Sequence, residues 1–252
     1  MIDVENLAVD RGSNRILEDY AFHLEAGSVL SVLGANGVGK TTLLASLIGL
    51  LKPACGRISI AGRTGFVPQL FEVPFSYSAL DIALMGRARH LGLFGAPKRR
   101  DYEIVRQNLA LLGIEALEKR PFNALSGGQR QLVMIAQALS SECTLLILDE
   151  PCAALDYKNQ DRVLDLIARL RADHRMTIVF TTHMPLHAVE VASHVLLMKS
   201  ATDYLFGPVE RTLTAENLSD LYDLPIGKAE FAGLDKHTFA PLFGSSGSTF
   251  HV

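Results

Sequence analysis

The chain has 252 residues, with 24 Lys and Arg against 27 Asp and Glu for a formal charge of −3, and it is 48% hydrophobic and 20% charged. A chain this apolar with so little net charge can bury enough surface to offset its conformational entropy, which excludes disorder. The slightly negative balance excludes a dominant electrostatic footprint for nucleic acid, and no nucleic-acid partner is expected. Residues 2–10 and 16–24 read as two strands joined by a turn at Arg11-Gly12-Ser13-Asn14, an N-terminal antiparallel β subdomain. Ser28 to Leu33 is a short apolar strand entering a Gly-rich loop, and Thr41 to Leu50 is helical, with Pro53 just beyond its end. Short strands follow at 58–60 and 64–67. From about Phe71 to Leu139 helical patterns dominate, at 79–85, 102–112 and 129–139, which reads as a helical insertion in an α/β chain.

The β–α rhythm then resumes. Leu145 to Leu148 is a continuous apolar strand, as expected for a strand buried on both faces of a parallel sheet. A helix at 159–172, a strand at 177–181, a helix at 185–192 and a strand at 194–198 follow, then a last helix at 214–222 capped by Thr214. After Pro225 the pattern carries no clear element. The three cysteines, Cys55, Cys143 and Cys152, form no CxxC pair, so a reducing compartment is expected. No signal peptide is expected either, and no apolar run approaches the ~20 residues of a membrane-spanning helix.

Three segments carry chemistry. Gly34-Ala35-Asn36-Gly37-Val38-Gly39-Lys40-Thr41 fits G-x-x-x-x-G-K-[ST] between a strand and a helix. Glycines let successive N–H groups turn toward phosphate oxygens, and the helix adds its N-terminal partial positive charge. Lys40 is placed to reach the terminal phosphates, and the Thr41 hydroxyl to ligate Mg2+. Asp149-Glu150 ends the 145–148 strand, where α/β sheets bind ligands. Asp149 is the candidate for Mg2+, and Glu150 for the general base that activates water. Leu125-Ser126-Gly127-Gly128-Gln129 opens an apolar helix. Ser126-x-x-Gln129 has capping-box spacing, which needs no function. Two glycines in a first turn lower helix propensity, however, and suit a helix start that must approach something closely, such as a phosphate.

These segments, in this order, resemble those of ABC transporter ATPase subunits, over roughly residues 1–225. The resemblance implies an α/β P-loop NTPase fold: a mainly parallel central sheet, an N-terminal antiparallel β subdomain and a helical subdomain inserted at about 71–139. Residues 226–252 would form a C-terminal extension. It implies ATP and Mg2+ as ligands, with Gly34, Asn36, Gly37, Gly39, Lys40, Thr41 and Thr42 around the phosphates of one chain. Ser126, Gly127, Gly128 and Gln129 would cap the nucleotide of a second copy in a homodimer. Gln69, after Gly65-Phe66-Val67-Pro68, looks like the Q-loop glutamine near the γ-phosphate and Mg2+. Ala154-Leu155-Asp156 resembles the D-loop, and His183 the switch histidine. Met85-Gly86-Arg87, His90 to Phe94 and Thr214 to Leu218 look like importers of siderophores, haem, cobalamin and molybdate, and the stretch 65–87 looks most like molybdate or tungstate uptake ATPases. Implied partners are an integral membrane permease and, indirectly, a periplasmic or extracellular substrate-binding protein. The implied place is peripheral, on the cytoplasmic face of the inner membrane.

Some residues keep two readings. Arg11 stands where the family places an adenine-stacking aromatic; its guanidinium can stack on a flat ring, or it is simply solvated. Cys152 and Ala153 replace the family's common Thr-Ser in the D-loop, and Asp156 serves equally as a helix N-cap. His183 and His187 have metal-like i,i+4 spacing on an expected helix, with no third ligand. Arg87, Arg89, Lys98, Arg99 and Arg100 form a basic cluster, either a solvated face or a contact for anionic headgroups. A non-transport ABC ATPase working in translation or DNA repair, or an exporter subunit, is the alternative; a GTPase is disfavoured because no Asn-Lys-x-Asp motif is present.

Overall fold

The protein is described from a computed structural model at residues 1–69, 73–91, 95–153, 155–233 and 236–244. Phe71, Gly92 to Phe94, Ala154 of the D-loop-like segment and the Gly-Ser-rich end beyond Gly244 lie outside the described residues. In chain order the elements are β1 (Ile2–Arg11), β2 (Asn14–Leu24), β3 (Val29–Gly34), α1 (Lys40–Leu47), β4 (Cys55–Ile60) and β5 (Thr64–Val67). Then come α2 (Ala79–Met85), α3 (Arg99–Leu111), α4 (Gly127–Ser140), β6 (Leu145–Leu148), α5 (Tyr157–His174) and β7 (Thr177–Thr182). The chain ends with α6 (Pro185–Val191), β8 (His194–Met198), β9 (Tyr204–Pro208), α7 (Val209–Thr212), α8 (Ala215–Tyr222), β10 (Ile226–Glu230) and β11 (His237–Pro241). The chain divides into two compact units, Met1–Ile60 with Phe180–Val252, and Ala61–Val179.

The first unit holds a three-stranded antiparallel sheet of order β2-β1-β4. Alternation puts Ile2, Val4, Leu17, Phe22 and Leu24 inside, the period-2 signature of a half-buried sheet. It also holds β3 and β8 in parallel and β9 antiparallel to β8. All six residues of β3 are buried, as expected for a strand covered on both faces. Leu33, Val195 and Leu197 pack with Leu213, just past α7, and with Leu218 and Leu221 of α8. Burying side chains of this size is worth roughly 1.5–3 kcal/mol each. The C-terminal residues form an antiparallel hairpin, Ile226 paired with Pro241 and Glu230 with His237, and Ile226 and Phe239 pack against this core. The sequence pattern had shown neither this hairpin nor β9 and α7. The Thr214 cap is present: its hydroxyl accepts from the Asn217 N–H at 3.1 Å.

The second unit pairs β5 and β6 in parallel, with Val67 opposite Leu148. Helices α2, α3 and α4 make up its helical part. α2 and α4 approach so closely that a Cβ at Gly86 would stand 1.9 Å from the Gln137 carbonyl oxygen. Only glycine fits there. Next to it, Arg87 departs from the surface expected for the basic cluster. Its side chain is 4% exposed. Nε donates to Asp101 Oδ1 at 2.9 Å, and Nη1 to the Ser140 carbonyl at 2.7 Å and to Glu142 Oε2 at 3.0 Å. Three hydrogen bonds offset the desolvation of the guanidinium, so this arginine ties α2, α3 and the end of α4 together. Arg89 donates to the Thr64 carbonyl, and Arg99 pairs with Glu103 on the surface. The cluster is therefore not a single basic face.

Candidate functional site

In the first unit, β3 runs straight into the phosphate-type loop. Gly39 is the N-cap residue of α1, at φ 115° and ψ 10°, a left-handed conformation that glycine adopts without steric cost. A Cβ there would also meet Ile16 Cγ2 at 2.8 Å. The loop crest, Ala35 to Gly37, is exposed, and so is Thr41, whereas Lys40 and Thr42 are buried. Lys40 Nζ reaches back over the loop and donates to the carbonyls of Gly34 at 2.8 Å and Ala35 at 3.1 Å. The ammonium thus sits inside the curl that its own backbone makes. Arg11 is exposed at the tip of the β1–β2 hairpin, opposite Asn14. The same hairpin supplies Ile16 beside Gly39, a loop contact that reading residues 16–24 only as a strand had missed.

His183 lies exposed just past β7. It precedes α6, so His183 and His187 do not share a helix as their spacing had suggested. Among the described residues no cluster of three or more His, Cys, Asp or Glu is placed to hold a metal. His187 is buried, with Nδ1 3.0 Å from Thr182 Oγ1. Burial, with a smaller contribution from His183, lowers its pKa to about 4, so its ring is neutral at ordinary pH. Thr182 Oγ1 also accepts from the Met184 N–H at 3.1 Å, and Tyr222 Oη donates to the His183 carbonyl at 3.2 Å. Thr182, His187 and Tyr222 therefore hold the turn that carries His183. No local motif marks them.

In the second unit, the parallel register explains how two distant residues meet. Gln69 and Glu150 each lie two residues past the paired Val67 and Leu148. Gln69 Nε2 donates to Glu150 Oε2 at 3.1 Å. The Asp149 N–H extends the ladder to the Val67 carbonyl at 2.9 Å, and the residue is 4% exposed. Glu150 has φ 47°, a left-handed conformation that costs a non-glycine residue about 1–2 kcal/mol. Asn6, Asp19, Glu142, Arg175 and Asp223 share this left-handed conformation, so it does not by itself set Glu150 apart.

The 125–129 segment does form a capping box. Ser126 Oγ accepts from the Gln129 N–H at 3.3 Å, and the Ser126 N–H donates to Gln129 Oε1 at 3.1 Å. Ser126 and Gly127 nonetheless remain exposed. Asp156 caps α5, accepting from the Asn159 N–H at 2.8 Å. The two helix starts adjoin: a Cβ at Gly128 would lie 2.8 Å from Asn159 Cγ. Cys152, in the same stretch, is buried, and burial pushes its thiol up to about 12.

A sequence profile described as ABC transporter matches residues 17–153, more than half of the chain. The chain belongs to the ABC transporter family. It is 46% identical over 245 residues to the molybdate import ATP-binding protein of Haemophilus influenzae, covering 96% of each chain. It is 35% identical over 240 residues to a Helicobacter pylori protein assigned to iron chelatin transport as its ATP-binding protein, covering 90% of this chain and 94% of that one. An ABC transporter assigned to the metal-chelate type, solved in an inward-facing conformation, has a chain that superposes with a TM-score of 0.92 at 44% identity, covering 96% of this chain and 98% of that one. The ABC ATPase fold, α/β with a mainly parallel sheet and antiparallel additions, is thus the fold of this chain, and the chain is an ABC-type ATPase. Among its described residues no helix is long and apolar enough to cross a membrane.

Proposed function

We propose that this ABC ATPase powers import of an oxyanion, molybdate or the similar tungstate, through a separate membrane permease. The observation that carries the reading is the 46% identity to a molybdate import ATP-binding protein over 96% of both chains. Two copies bind two ATP molecules head to tail on the cytoplasmic face of the membrane, and a substrate-binding protein delivers cargo from the other side. Backbone amides of the 34–39 loop and Lys40 bind phosphate oxygens. Arg11 stacks on the adenine. Ser126, Gly127, Gly128 and Gln129 meet the nucleotide of the other copy, with Asp156 beside them.

By donor chemistry, the residues that would hold Mg2+ are Asp149, a buried carboxylate, with Gln69 in the same unit and the Thr41 hydroxyl of the other, the hard oxygen ligands this ion prefers alongside water and phosphate. When bound, Mg2+ supplies neutralisation of phosphate charge. Glu150 takes the proton of the attacking water. Gln69, now hydrogen-bonded to Glu150, orients that carboxylate. His183 contacts the γ-phosphate from the turn held by Thr182 and Tyr222.

Uptake of molybdate, iron-siderophore, haem, cobalamin and manganese in a strain lacking this chain tests the reading. Loss of molybdate uptake, restored by the wild type and not by Glu150→Gln, is the expected result. Loss of another cargo alone overturns the cargo. Normal uptake of every cargo, with the chain recovered on ribosomes or DNA, overturns the transport role.

A further inference from the structure

Behind the first turn of α4 lies a cavity of about 390 Å3, within the range of small-molecule sites, roughly 300–1,000 Å3. Leu112, Leu132 on α4 and Leu166 on α5 give it an apolar lining. The side chains of Gln129, Asn159 and Arg162 give it three sets of hydrogen-bond donors. Gln129 spends its Oε1 on the Ser126 N–H, and Asn159 uses only its backbone N–H, on Asp156. Among the described residues, Gln129 Nε2, Asn159 Nδ2 and the Arg162 guanidinium have no acceptor. The other charges of the lining cancel, because Arg169 Nε holds Asp165 Oδ2 at 3.0 Å. What remains is one positive charge and two side-chain amides whose N–H groups have no acceptor among the described residues, beside leucine side chains that share the lining with polar surface. The single positive charge and the amide N–H groups favour a monoanion whose head accepts hydrogen bonds, and the leucines favour a partly apolar body.

We propose that this cavity binds a small amphipathic carboxylate, with its chain among the leucines and its head on Arg162, Asn159 and Gln129. The site shares two residues with the start of α4. Gln129 closes the capping box, and Asn159 stands against Gly128. An occupant therefore bears on the placement of Ser126 and Gly127. Its effect on ATP hydrolysis rests on the role proposed above for that segment; its binding does not.

Calorimetric titration of the full chain with decanoate, decanol and decylamine, below their aggregation concentrations, tests the site. Decanoate is expected to bind saturably at one per chain, decanol at least tenfold more weakly and decylamine not at all. Arg162→Glu, a change on the exposed face of α5, is expected to weaken decanoate at least tenfold with the circular dichroism unchanged. Equal affinity for amine and carboxylate, no saturable binding, or unchanged affinity in the variant overturns the proposal. Saturating decanoate is also expected to change the ATPase rate at least twofold, with the midpoint of the binding curve and with no such response in Arg162→Glu. A flat rate at saturation overturns the link to α4, whereas a wild-type chain with no ATPase at all overturns the functional reading and leaves the binding result standing.

Discussion

Gly127→Ala separates what the first turn of α4 does for folding from what it does for ATP. A Cβ at Gly127 meets nothing nearer than Leu155 Cδ2 at 3.8 Å, an ordinary contact. The residue is exposed at the helix start. Replacing an unstrained glycine by alanine stabilises by about 0.4–1 kcal/mol, because it narrows the unfolded ensemble. For a chain of this length that corresponds to a Tm rise of roughly 1–4 °C. If Ser126 and Gly127 approach nucleotide on a second copy, however, the added methyl stands in the way of hydrogen bonds to a charged group. Those are worth about 1.5–3 kcal/mol, or roughly a 10- to 150-fold fall in turnover. Differential scanning fluorimetry and a steady-state ATPase assay on one preparation read both effects. A stable variant with unchanged ATPase refutes the close approach, and a variant that loses stability refutes the open geometry. Gly128 is the internal contrast. A Cβ there would lie 2.8 Å from Asn159 Cγ and 3.0 Å from its Oδ1. Gly128→Ala is expected to lose about 1–3 kcal/mol through overpacking, and Asn159→Ala in the same chain to restore most of it.

Glu150→Gln keeps the shape and the acceptor oxygen that Gln69 reaches, so ATP binding is expected to survive while hydrolysis falls by about 10²–10⁴-fold; near wild-type turnover removes Glu150 from the base role. Arg87→Ala leaves the buried Asp101 carboxylate and the Ser140 carbonyl without their shared donor. The expected loss is about 3 kcal/mol, a Tm drop of roughly 6–12 °C, with Glu142 contributing little because it is half exposed; a drop under about 2 °C would show the guanidinium to be dispensable. His187 ionises near 4 in the folded protein against about 6.5 unfolded. Between those values the unfolded chain binds the proton and the native one does not, so stability is lost as pH falls from about 6.5 toward 4. His187→Asn is expected to flatten that part of the stability–pH curve, and an identical slope in wild type and variant would contradict the buried neutral ring.

Much of this protein was legible in its sequence because the relevant physics is local. The P-loop spacing, the Ser126–Gln129 capping box, the Thr214 cap and the apolar run 145–148 each reside within a few residues, and each took the expected form. What the tertiary structure alone decided involves partners far apart in the chain. Gln69 meets Glu150 only through the register of β5 on β6. Arg87, counted among surface charges, is buried because Asp101, Ser140 and Glu142 surround it. His187 acquires its depressed pKa, and Thr182 its place, from packing rather than from spacing. Strands β10 and β11, whose own pattern is not strongly strand-like, pack through Ile226 and Phe239 against the core that holds Leu218 and Leu221. Short-range periodicity records which face of an element is apolar; it holds no record of which distant side chain will meet that face, and those meetings set burial, charge and geometry at the site.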